Sequence, residues 1–156
     1  MKYSLRLLAR VLRMGTLIST AALTGTVLLQ IFARFFLASA PSWTEEASRF
    51  FFIYAVSFAA GLAFKDRYYV HLDLFYTRLS SRWRSYFDLG IASLTMALFL
   101  VMGIFSVSFA ALGMGETSPS LGLDMSFSFA SMIVMALPIV LYAWLDLRKA
   151  LKHLQP

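Results

Sequence analysis

The chain has 156 residues, 60% of them hydrophobic and only 14% charged, against about 25% charged in soluble domains, which excludes an ordinary water-soluble domain. The net charge of +6 would suit nucleic acid, but 12 of the 14 basic residues sit in three short segments beside long apolar runs, which argues against that partner. The sequence has no cysteine, so disulfides, thiolate metal sites and thiol redox catalysis are excluded, and with them the four-helix quinone-dependent thiol oxidoreductases.

Four charge-free runs, Met14–Ala33, Phe50–Phe64, Leu89–Gly115 and Met125–Leu145, organise the chain. A helix rising ~1.5 Å per residue needs about 20 apolar residues to cross a ~30 Å hydrocarbon core. The second run has 15 residues, so its helix must also draw on residues near Arg49. The pattern predicts one all-α membrane domain over residues 1–156, with four transmembrane helices spanning about 15–37, 46–64, 88–113 and 125–145. Lys2, Arg6, Arg10 and Arg13 precede the first span, Lys65, Arg67, Arg78, Arg82 and Arg84 lie between the second and third, and Arg148, Lys149 and Lys152 follow the fourth. These segments share one side of a four-span protein. By the positive-inside rule both termini are expected in the cytoplasm.

In chain order, residues 1–13 form a basic amphipathic segment with Arg6, Arg10 and Arg13 on one helical face, suited to anionic headgroups and to fixing topology. Ala38-Ser39-Ala40 resembles a signal-peptidase site. The preceding run is of spanning length, ends in Gln30 and Arg34, and is followed by Pro41, so a retained first helix is expected. Small residues at four-residue spacing (Ala21 and Gly25, Ala22 and Thr26, then Ala55, Ala59 and Ala63, and Ser57 and Gly61) mark faces where helices approach closely.

The first outer connection contains Pro41, Ser42, Trp43, Glu45 and Glu46. Ser42 and Glu45 have capping-box spacing, and Trp43 suits the membrane interface. Glu45 and Glu46 lie four and three residues before Arg49, so both can meet it on one helical face. With Arg34 at the end of the first span, they predict an interfacial charge network joining spans one and two, or a surface for a partner protein.

In the inner connection Leu72, Phe75, Tyr76, Leu79, Trp83 and Tyr86 recur at spacings of three and four. They predict an amphipathic helix over residues 70–86 lying in the cytoplasmic interface. His71 and Asp73 are a candidate functional surface there. The second outer connection, Glu116 to Asp124, is short and turn-rich, and Pro138 falls inside the fourth span, where proline often kinks a helix. His71 and His153 both lie outside the spans, which argues against a bis-His haem. No carboxylate sits mid-run, where ion-coupled carriers keep one. The pattern supplies no catalytic residue, metal-ligand set or cofactor site.

These pieces together resemble the small membrane subunit, the DctQ-like Q subunit, of the tripartite ATP-independent periplasmic (TRAP) transporters. The resemblance rests on Gln30-Ile31-Phe32-Ala33-Arg34, on Ser42-Trp43-Thr44-Glu45-Glu46 followed by Arg49, on His71-Leu72-Asp73, on Thr117-Ser118-Pro119-Ser120-Leu121 and on Pro138. It implies a non-catalytic subunit in a bacterial inner membrane, working with a large polytopic membrane subunit (M) and a periplasmic solute-binding protein (P). It further implies sodium-driven uptake of an organic acid such as a C4-dicarboxylate or sialic acid, with this chain as a scaffold anchored by membrane lipids. The competing readings are a stand-alone four-helix carrier acting as a homodimer, an electron-transfer anchor and a structural subunit of another complex.

Overall fold

The computed structural model describes residues 2–37, 41–66 and 80–154. Among them are four helices, α1 (Lys2–Phe36), α2 (Trp43–Lys65), α3 (Ser81–Leu112) and α4 (Met125–Leu154). All four are long and apolar enough to cross a membrane. In hydrocarbon each backbone N–H and C=O must find its partner inside the protein, and a helix supplies that locally. Hydroxyls within the helices turn back onto their own backbone. Thr16 donates to the carbonyl of Leu12 at 2.9 Å, Ser106 to Gly103 at 2.7 Å and Ser131 to Ser128 at 2.6 Å.

Three boundaries differ from the sequence-based expectation. The basic segment at residues 2–13 is not a separate element, because α1 runs unbroken for 35 residues, about 52 Å at ~1.5 Å per residue. Helix α3 begins at Ser81, so Trp83 and Tyr86 lie in the first turns of a spanning helix and not on a separate interfacial one. The remaining anchor candidates, Leu72, Phe75, Tyr76 and Leu79, and the pair His71 and Asp73, lie outside the described residues. The capping box at α2 does not form. Ser42 already has helical backbone angles (φ −62, ψ −28) and makes no side-chain cap bond, whereas an effective cap sits in the extended region. Instead the buried Thr44 hydroxyl donates to the carbonyl of Pro41 at 2.7 Å.

The helices pack as a row in the order α1, α2, α4, α3. Each chain hairpin is antiparallel, which leaves α2 and α4, adjacent in the middle, running the same way. They approach closely at Gly61. A Cβ there would lie 3.1 Å from Leu12 of α1 and 3.1 Å from the ring of Pro138 on α4. Next to this point Leu12, Phe64, Ile139, Tyr142 and Ala143 form the buried core, with Met96 and Phe99 of α3 packed against it. Helix α4 continues through Pro138 without interruption.

The small-residue faces divide. On α2, Ala55, Ser57 and Gly61 are buried, as their spacing predicts. On α1, Ala21 and Gly25 are exposed, and a Cβ on Gly25 meets nothing within 4 Å. The close approach on α1 falls instead at Gly15, where a Cβ would sit 2.7 Å from the ring of Phe58.

Replacing Gly61 with valine pushes two branches into Leu12 and Pro138. Overpacking of this kind costs about 1–3 kcal/mol. The expected outcome is a lower midpoint of thermal unfolding for Gly61→Val in detergent, with Gly25→Val close to the unaltered chain.

Candidate functional site

Because α2 and α4 run in parallel, both start at the membrane face opposite the basic segments. The connection entering α4 therefore lies beside the first turn of α2. That connection is tightly built. The Met125 N–H donates to the carbonyl of Glu116 at 2.8 Å, Ser118 N–H to Leu123 at 2.8 Å and Gly122 N–H to Ser118 at 3.0 Å. Thr117 and Asp124 pair as an isolated antiparallel bridge. Gly122, at φ 64, takes the left-handed turn that a side chain would resist.

The loop closes around one carboxylate. A single Glu46 oxygen, Oε2, accepts hydrogen bonds from the Ser118 hydroxyl at 2.7 Å, the Ser120 N–H at 3.0 Å and the Leu121 N–H at 2.9 Å. Successive backbone N–H groups turned to one point make an anion-binding concavity, filled here by the protein's own side chain. Glu46 also sits in the first turn of α2, where a negative charge meets the positive end of the helix dipole. About two helical turns further in, the Tyr54 hydroxyl donates to the carbonyl of Phe127 at 2.7 Å and ties the same two helices again.

The predicted charge network thus divides. Glu45 and Arg49 meet through Oε1 and a guanidinium nitrogen, but their side chains are 57% and 75% exposed, and pairs this open contribute little to stability. Glu46 faces the other way, toward the loop. Arg34 is exposed and makes no ion pair among the described residues. Trp43 is 41% exposed at the start of α2. Trp83 and Tyr86 are exposed near the start of α3, their rings 6.2 Å apart edge to face. Sequence reasoning missed the partners of Glu46, which lie more than 70 residues away. The only available signal was that Ser118, Ser120 and Leu121 share the motif set containing Glu46. Among the described residues no group of three or more His, Cys, Asp or Glu side chains is placed to hold a metal ion.

A row of four membrane-crossing helices, clamped at one end by a carboxylate, defines a multi-pass membrane protein. Residues 23–153 match the family described as tripartite ATP-independent periplasmic transporters, DctQ component, and the chain belongs to that family. It is a component of a TRAP transporter and a multi-pass protein of the inner membrane. The matched stretch holds both halves of the clamp, Glu46 and Ser118–Leu121. Comparison with curated proteins finds no similar sequence.

Replacing Glu46 with alanine leaves the Ser120 and Leu121 amides without their acceptor. Hydrogen exchange at these two positions is expected to speed up in Glu46→Ala and to stay unchanged in Glu45→Ala.

Proposed function

We propose that this chain is the small, non-catalytic scaffold subunit of a sodium-driven, binding-protein-dependent transporter that takes up an organic acid. Its partners in this reading are a large polytopic membrane subunit and a periplasmic solute-binding protein. Both termini are cytoplasmic, so the basic end faces the cytoplasm and the Glu46 clamp faces the periplasm.

The observation that carries the reading is the open row. Of the most apolar stretch of each flanking helix, 11% of residues are buried in α1 and 6% in α3. A helix so little covered by its own chain presents its side chains to lipid or to another subunit. A broad plank of this kind suits the static part of a transport complex, against which a moving domain slides. Among the described residues no charged side chain is buried in the interior. The buried polar residues among those described are Ser19, Thr44, Ser57, Ser106 and Ser131, and none carries a charge that could couple to an ion. The stand-alone homodimeric carrier is disfavoured for the same reason.

The clamp gives this subunit a rigid outer surface toward the solute-binding protein. In this reading Trp83, Tyr86, Leu72, Phe75, Tyr76 and Leu79 anchor it at constant depth, and His71 and Asp73 offer a functional surface. Arg34, Glu45 and Arg49 are left as interface charges open to a partner.

In proteoliposomes, uptake is expected only when this chain, the large subunit, the binding protein and a sodium gradient are all present. Uptake by the large subunit and binding protein without this chain would count against the scaffold role, and uptake by this chain alone would restore the carrier. Within the complete system, serine at Leu72, Phe75 and Leu79 together is expected to lower uptake at least several-fold. Unchanged assembly and uptake in that variant would remove the anchoring role.

A further inference from the structure

At the basic end a groove of about 300 Å³ opens between the first turns of α1 and the last turns of α4. It is lined by Ser4, Leu5 and Leu8 on one side and Leu141, Trp144 and Leu145 on the other. Leu5, Leu8 and Leu145 form its floor, because they also pack against the buried core. Leu141 and Trp144 are exposed at its edge. Four leucines and an indole leave the Ser4 hydroxyl as the one polar side chain in the lining.

The mouth of the groove is cationic. The Arg148 guanidinium lies 3.7 Å from the centre of the Trp144 ring, a cation–π contact that holds a charge against the same indole that lines the groove. Arg6 follows Leu5 on α1 and is exposed, and Lys152 lies one turn beyond Arg148 and is exposed too. The nearby carboxylate, Asp146, is bridged by Lys149 at 3.0 Å, so the local balance stays positive. Along the membrane normal the order is therefore hydrocarbon-lined groove, indole, guanidinium. That is the order of acyl chain, glycerol and phosphate in a phospholipid leaflet.

We propose that this groove seats one acyl chain of an anionic phospholipid, with its phosphate held by Arg148. Charge complementarity at the mouth selects an anionic headgroup, and the apolar lining selects a chain in preference to a soluble anion. The site requires only that the helices span a membrane, so it stands apart from the scaffold role.

The test uses the full chain in vesicles containing phosphatidylglycerol or phosphatidylcholine, each with the same photoreactive acyl chain, and maps the labelled peptides by mass spectrometry. Labelling is expected in segments 4–8 and 141–145, with phosphatidylglycerol preferred by about fivefold, the value of one well-placed cation near the bilayer surface. Arg148→Gln should abolish that preference, Arg148→Lys should keep it, and Arg10→Gln should leave it unchanged. Leu141→Trp, which fills the groove, should lower labelling by both lipids. Equal effects of Arg148→Gln and Arg10→Gln would mean diffuse attraction to a basic surface and would overturn the site. Labelling spread evenly over α1 and α4 would do the same, as would cross-linking of Leu141→Cys to another protein chain in native membranes.

Discussion

Helices in lipid gain nothing from hiding apolar side chains, because the surrounding hydrocarbon is as apolar as leucine. Association depends on how closely backbones approach and on the few polar contacts made between helices. In this protein three helices meet at Gly61, where a Cβ would lie 3.1 Å from Leu12 of α1 and 3.1 Å from Pro138 of α4, tighter than an ordinary van der Waals contact. The bare backbone of Gly61 admits the side chain of Leu12 from one side and the ring of Pro138 from the other. Around it Phe64, Ile139 and Tyr142 close the core. Among the described residues helix α3 joins chiefly through α4 and α1 chiefly through α2, so the row depends on the central pair.

The central pair also explains the clamp. Two parallel neighbours start at the same membrane face, and that geometry brings a first-turn carboxylate on α2 to the loop entering α4. A carboxylate with three donors on one oxygen is a directional contact, unlike the smooth packing of apolar faces. It fixes the register of α2 against α4 at one end while Gly61, near the other end of α2, and Pro138 fix it again. Tyr54, bonded to the backbone of Phe127, lies between them.

Much of this was legible in the sequence, for definable reasons. Span number and approximate place follow from runs of uncharged residues, since a charge in hydrocarbon is costly wherever it falls. The order of the helices did not follow, because spans apolar on all sides carry no face that names a neighbour. Four-spaced small residues occur on both α1 and α2, yet Ala55, Ser57 and Gly61 of α2 are buried while Ala21 and Gly25 of α1 are exposed. Spacing shows that a face permits close approach without showing what approaches. The link from Glu46 to Ser118, Ser120 and Leu121 was hidden for the same reason. Local spacing pointed Glu46 to Arg49, whereas the parallel arrangement of α2 and α4 supplied better donors from far along the chain. Membership of the TRAP transporter family was legible because it rests on short ordered motifs near the span ends, which need no knowledge of packing.

In the proposed role the exposed flanks of the row pack against a larger membrane complex. This is tested most directly by isolating the tagged chain from native membranes in mild detergent and identifying its partners, with stoichiometry, by mass spectrometry. A large, very hydrophobic polytopic protein is expected to be recovered in equal amount. Recovery of this chain only with copies of itself would contradict that role.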